Sequence, residues 1–183
     1  YDRVEGGVRG SYGVRYTLLG DRGFMASAMV GQSVHLAGRN SFRQGDLVNT
    51  GLNSGLDSRF SDFVARVDLQ PNEYFAISAR GRFDRRDFDM NRIEATATAR
   101  MGPASASVTY ARFAAQPDLG YPDRREGLSA SGRLQLSRHW YTSGSVMFDM
   151  SRYLDDRRRQ GPGVPTSPRF SVAAMSVGIG YID

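Results

Sequence analysis

The residues with most capacity for acid–base chemistry are two histidines, and neither has a full catalytic setting. His35 lies two positions after Ser33. In an extended strand, residues i and i+2 share a face, so the pair has the spacing of a nucleophile and its base. No acidic residue stands nearby to orient the imidazole, and the plainer reading is a polar pair on a wetted strand face. His139 falls in the turn Ser137-Arg138-His139 and reads as solvated. Cysteine is absent, which excludes thiolate nucleophiles, thiolate metal sites and disulfides. No catalytic residue, metal ligand or cofactor-binding residue is assigned, no cofactor is expected, and the chain reads as no enzyme. An enzyme acting on lipid A would stand or fall with Ser33 and His35.

Charge offers more. The sequence holds 24 basic residues, every one arginine, against 19 acidic ones, a net charge of +5. That balance fits an anionic partner, nucleic acid or lipid head groups alike. The run Arg80-Gly81-Arg82-Phe83-Asp84-Arg85-Arg86 interleaves an aromatic residue with arginines, as RNA binders do. Gly161-Pro162-Gly163 lacks the strand-to-helix setting and lysine of a phosphate cradle. Asp155-Asp156-Arg157-Arg158-Arg159 reads as a solvated loop, with contact to outer-leaflet lipid as the functional alternative.

The elements that must position these charges follow a period of two. Even positions from Val4 to Leu18 are apolar or small, and odd ones include Glu5, Arg9 and Arg15. From Phe24 to Leu36 the even face is apolar except at Gln32. The same alternation runs through Phe63–Gln70, Phe75–Asp84, Arg92–Met101, Ala104–Tyr110, Leu128–Leu136 and Trp140–Met150. A last strand spans Arg169 to Ile182, but Phe170 and Val172 are out of phase with Met175, Val177, Ile179 and Tyr181. This predicts nine strands and no helix. It assigns Phe83 to the apolar face, which argues against the RNA reading.

Connections alternate too. Short turns fall at Gly20–Gly23, Pro71–Glu73, Gly102-Pro103 and Ser137–His139. Longer ones span residues 37–61, 85–91, 113–126 and 151–168. Aromatic residues of the apolar face cluster at strand ends: Tyr16, Phe24, Phe75, Trp140 and Tyr181 by the short turns, Phe63, Phe83, Tyr110 and Phe148 by the long loops. Phe75 to Phe83 and Trp140 to Phe148 each span eight residues. At about 3.3 Å per residue and a tilt near 40°, that is roughly 20 Å, close to the apolar band of an outer-membrane barrel between its aromatic girdles. Mean hydropathy is only −0.45, and no apolar run approaches the roughly 20 residues of a membrane helix. A transmembrane barrel needs neither, because only alternate residues meet lipid. A soluble sandwich explains the alternation but not aromatics at both strand ends.

The fold expected is therefore all-β: an antiparallel transmembrane β-barrel segment, with the short turns facing the periplasm. The lumen-facing set is Glu5, Arg9, Arg15, Asp62, Arg66, Asp68, Arg80, Arg82, Asp84, Arg92, Glu94, Arg100, Arg133 and Asp149, eight arginines against six acids. These side chains either pair across strands or line a hydrophilic path. The outward aromatics form the lipid-facing girdle. The N-terminus lacks a signal peptide's apolar core, and an odd strand count does not close antiparallel. Residues 1–183 are thus expected to be a partial barrel domain.

Several stretches resemble one family. Tyr1-Asp2-Arg3-Val4-Glu5-Gly6-Gly7 with Tyr12-Gly13, Gly31-Gln32-Ser33-Val34-His35-Leu36-Ala37-Gly38, Gly55-Leu56 with Ser61-Asp62-Phe63-Val64-Ala65-Arg66, and Gly178-Ile179-Gly180-Tyr181 with Asp183 are similar, in order, to the lipopolysaccharide-assembly protein LptD, or organic solvent tolerance, family. The last resembles the stretch before that family's late cysteine pair. The resemblance implies a barrel of roughly 26 strands, with an N-terminal jelly-roll, the cysteines and the final strands lying outside this chain. It implies transport of lipopolysaccharide and its assembly into the outer leaflet of the cell outer membrane, with arginine forks suited to lipid A phosphates. Partners implied are lipopolysaccharide, outer-membrane lipids, a plug lipoprotein of the LptE type and a periplasmic bridge protein of the LptA type, with no nucleic acid. The alternative from the residues alone is a porin or substrate-specific channel.

Overall fold

A computed structural model describes residues 6–43, 55–117, 120–160 and 167–182. Glu5 and Gly161–Gly163 lie outside the described residues. Nine strands form a single sheet in chain order: β1 (Gly7–Leu19), β2 (Met25–Gly38), β3 (Phe63–Asn72), β4 (Phe75–Phe83), β5 (Met90–Met101), β6 (Ala104–Phe113), β7 (Arg125–Gln135), β8 (Trp140–Asp149) and β9 (Ser171–Tyr181). Each strand pairs antiparallel with the next. The sheet is open, with β1 and β9 at its edges.

Turn chemistry sets the short connections. Gly102, with φ at +53°, closes the two-residue link between β5 and β6. Between β3 and β4 the Asn72 carboxamide oxygen accepts the amides of Tyr74 and Phe75 at 2.9 and 3.1 Å, an Asx-turn.

No second layer covers this sheet. The apolar side chains of β1 and β9 stand open, with Val14 at 70%, Met175 at 75% and Val177 at 80% exposure. Met150, at 8% exposure, is the one apolar residue that is buried among the described residues. Burying one Val, Leu or Ile stabilises by about 1.5–3 kcal/mol, so a soluble sandwich would have covered such a face. The other face is concave. Hollows on it are lined by Ser105, Ser107, Ser131, Arg133, Ser143 and Ser145, and further along by Arg66, Arg80, Arg82 and Arg92. No helix among the described residues is long and apolar enough to cross a membrane.

Two features depart from simple alternation. The pairing of β8 with β9 slips between Met147 and Phe148, so Met147 faces Ala174 while Phe148 faces Val172. One extra residue, Ala173, is bulged out of β9. The bulge restores Phe170 and Val172 to the face of Met175 and Val177, which explains their discordant phase in the sequence. The second departure is a helix, α1 (Arg152–Gln160), where the sequence predicts none. The Asp149 carboxylate accepts the amides of Ser151 and Arg152 at 2.9 and 3.0 Å and so holds its first turn.

Candidate functional site

The register gathers Arg9, Arg15, Arg66, Asp68, Arg80, Arg82, Arg92, Glu94, Arg100, Arg133 and Asp149 on the concave face. Asp62, one residue before β3, joins them through Arg82, whose Nε lies 3.2 Å from its carboxylate, and through the Asn91 amide at 3.0 Å. It puts Tyr16, Phe63, Phe75, Phe83, Tyr110, Trp140, Phe148 and Tyr181 on the opposite face, and Phe24 stands at the start of that face of β2.

The concave face divides into two sectors. On β3 to β5, Arg66 stands directly opposite Arg80, and Arg82 opposite Arg92. Like charges so placed repel, and carboxylates separate them. Arg66 grips Asp68 at 2.9 Å. Glu94 takes Arg80 on one oxygen and Arg92 on the other, at 2.5 and 3.1 Å. On β5 to β9 the charge thins out and hydroxyls take over. Thr96 meets Thr109 at 3.0 Å, Ser145 meets Ser176 at 2.8 Å, and Ser107, Ser131 and Ser145 run in register across β6, β7 and β8. Arg133 lies over the Tyr141 ring at 3.6 Å. Arg100 has no ion-pair partner among the described residues. Phe113 carries two guanidiniums, those of Arg92 at 4.8 Å and Arg125 at 5.2 Å.

At the long-loop end Arg9 ties the first long loop over this face. Its Nη2 donates to the Asn40 carboxamide oxygen and to the Leu56 carbonyl, both at 3.2 Å, and the guanidinium lies 5.2 Å from the Phe42 ring. Loop and strand also share backbone bonds, His35 to Arg59 and Ser61 to Ser33.

Ser33 and His35 are each engaged elsewhere. The Ser33 hydroxyl meets that of Ser11 at 2.8 Å, and His35 Nε2 meets the Gly38 carbonyl at 3.0 Å. His139 is exposed, as its turn position predicts, and it also stacks on Tyr181 at 5.6 Å and reaches the Ile182 carbonyl at 3.1 Å. Asp84 is spent within its own turn, accepting the Arg86 amide at 2.7 Å, which holds its carboxyl below the usual carboxylate range. The loop Asp155–Arg159 is helical: Arg158 donates to Asp123 at 2.6 Å, Arg159 pairs with Asp155 at 3.2 Å, and Asp156 accepts the Ser167 amide at 2.9 Å. The Asp123 carboxyl is lowered by its Arg158 partner, and that of Asp156 by the Ser167 bonds.

The apolar face supplied two surprises. Gln32, the polar exception, is buried there. It accepts the Tyr12 hydroxyl and donates to the Ser61 carbonyl at 2.7 Å. Phe88, held at φ +60°, stacks on Phe63 at 5.4 Å and extends the ring of aromatics. A loop residue shows no periodicity, so only the pairing could place it.

The family model for LptD, LPS transport system D, matches residues 1–140. The chain belongs to the LptD family. An LptD sheet of this kind is part of an outer-membrane β-barrel, and the single antiparallel sheet with one apolar and one polar face agrees with that. LptD proteins take part in transport of lipopolysaccharide to the outer membrane. No curated protein and no solved structure matches the chain.

Proposed function

We propose that this sheet is one arc of the LptD translocon wall, located in the outer membrane, and that its concave face lines the path of the lipopolysaccharide glycan. The convex face meets hydrocarbon, the short turns lie in the periplasm and the long loops at the cell surface. The edges of β1 and β9 carry backbone groups that hydrocarbon would leave unpaired, so further strands close the barrel. The outcome for the substrate is assembly into the outer leaflet.

The observation that carries this reading is the division of the concave face. Hydroxyls spaced across β5 to β9 match the hydrogen-bonding needs of sugars, and a cationic sector on β3 to β5 matches phosphorylated sugars. Neither sector offers a deep pocket, as transit rather than retention requires. The plug lipoprotein and the periplasmic bridge protein belong to this proposal as partners of the same machine.

Photocrosslinking in the full-length protein tests it. A photoreactive residue at Ser131 or Ser107 should capture newly made lipopolysaccharide during a pulse and lose it during a chase. Absence of any pulse-labelled adduct at either position, in cells that still export lipopolysaccharide, would remove the glycan path from this face.

A further inference from the structure

A second charged cluster lies on the apolar face, where alternation leaves little reason for one. In the β6–β7 ladder Arg112 stands directly opposite Glu126, two residues beyond the pair Tyr110 and Leu128. Arg112 and Glu126 therefore share the outward face with Tyr110. At about 3.3 Å per residue and a barrel tilt near 40°, they sit about 5 Å beyond the long-loop aromatic ring. The Glu126 side chain is 6% exposed, and three guanidiniums converge on it: Arg124 at 3.0 Å, Arg112 at 3.7 Å and Arg169 at 3.8 Å. They come from separate parts of the chain, β6, the residue before β7 and the approach to β9.

One carboxylate cannot neutralise three arginines. Glu126 is the only carboxylate paired with any of them among the described residues, which leaves two positive charges. Arg124 and Arg112 come closest to Glu126 through Nε, and the buried Nε of Arg112 has no hydrogen-bond partner among the described residues. The three side chains remain 42–59% exposed. An anion with several oxygens would complete them, and the girdle beneath shows at what depth that anion must lie.

We propose that Arg112, Arg124 and Arg169 form an outward-facing site for the phosphate of an outer-leaflet glycolipid, docked with its acyl chains along Tyr110 and Phe148. Glu126 holds the arginines together while no lipid is present. The site rests on the reading that the convex face meets lipid and the long loops lie at the cell surface. It is separate from the glycan path, being on the opposite side of the sheet. Its role is to keep a layer of phosphorylated lipid against the barrel wall.

The test uses the full-length protein purified in detergent, with bound lipid counted by native mass spectrometry. The probes are bis-phosphorylated lipid A, the same lipid stripped of phosphate, and inorganic phosphate as competitor. Losing three charge-assisted contacts in R112Q/R124Q/R169Q should lower lipid A retention at least about tenfold. The control R85Q/R86Q/R138Q, with equal loss of charge, should retain it. Glu126→Gln, which removes the competing carboxylate, should retain as much or more. The proposal is overturned by unchanged retention in the first triple variant, by equal loss in the control, by equal binding of the phosphate-free lipid, or by displacement at similar concentrations of inorganic phosphate. Export of lipopolysaccharide by the same variants is read separately: a variant that loses retention yet exports normally supports the site and leaves the translocon reading intact, whereas unchanged retention overturns the site alone.

Discussion

At the scale of single residues, the sheet shows how little a charge is worth until its neighbours are counted. Glu94 bridges Arg80 and Arg92, while Arg66 and Arg82 stand opposite those two arginines. Glu94→Gln therefore exposes four arginines to one another with only Asp68 and Asp62 left to part them. Exposed pairs contribute about 0–1 kcal/mol each, so the expected loss in the urea unfolding free energy of the full-length barrel is about 1 kcal/mol. Adding Arg80→Gln should restore part of it, because the repulsion with Arg66 goes as well. If the double variant is less stable than the single one, the ladder is held by attraction at Arg80 and the repulsive account fails. Gln32 makes the opposite case. It lies on the apolar face and is only 8% exposed, which leaves little room for a replacement partner. Tyr12→Phe strips its carboxamide oxygen of a donor and should cost about 1–3 kcal/mol, the desolvation of an orphaned group. Tyr16→Phe, on the same face opposite Ala28, should cost far less. Equal unfolding midpoints for the two variants would show that Gln32 is wetted.

At the scale of elements, alternation made the strands, the turns and both faces legible, because a half-buried strand must alternate to bury one side. What stayed hidden lies where the physics is not periodic. The β9 bulge adds one residue, and in one sequence that looks like a failing pattern rather than a kink. Phe88 comes from a turn. Glu126 and Arg112 lie where strand passes into loop, and a buried carboxylate among arginines leaves no trace in spacing. Helix α1 is too polar to announce itself by an apolar stripe; its start is set by Asp149 and its place by Arg158 gripping Asp123. Both sources of order can be tested. Asp149→Ala removes the cap and should cost about 0.5–2 kcal/mol, seen as faster amide exchange across 151–159 while β8 stays protected. The Asp123 carboxyl is held below its ordinary range by Arg158. A depressed folded value means the clamp is intact above the ordinary carboxylate value of about 4 and is lost as pH falls below it. Protection of the α1 amides, taken against the intrinsic exchange rate at each pH, should then fall on acidification below about pH 4. In Asp123→Asn it should already be lower at pH 7 and should fall less with acid than in the wild type. A wild-type helix with equal protection at pH 3 and pH 7 would contradict the clamp.

At the scale of the whole molecule, the proposed translocon wall requires that the two faces of this sheet meet different solvents. Residue-by-residue spin labelling of the full-length protein in bilayers reads it directly, oxygen reporting lipid and a water-soluble nickel chelate reporting water. Along β4 the signal should alternate strictly, with Ile77, Ala79 and Gly81 in lipid and Ser78, Arg80 and Arg82 in water. Along β9 a plain strand and a bulged one diverge. Without the bulge, labels at Val172 and Met175 must report opposite solvents, since three residues separate them. With Ala173 displaced, Val172, Met175 and Val177 all meet lipid, while Ser171, Ala174 and Ser176 meet water, and the phase inverts once, at Ala173. An inversion there is hard to produce otherwise. A soluble sheet gives no lipid contact at all, and a straight transmembrane strand gives no inversion. A slip of register along β9 would exchange the two faces over its whole length, not at one residue. Finding unbroken alternation from Ser171 to Tyr181 would remove the bulge, turn Phe170 and Val172 toward the lumen, and break the girdle contact between Phe148 and Phe170 that the fold now makes at 6.3 Å.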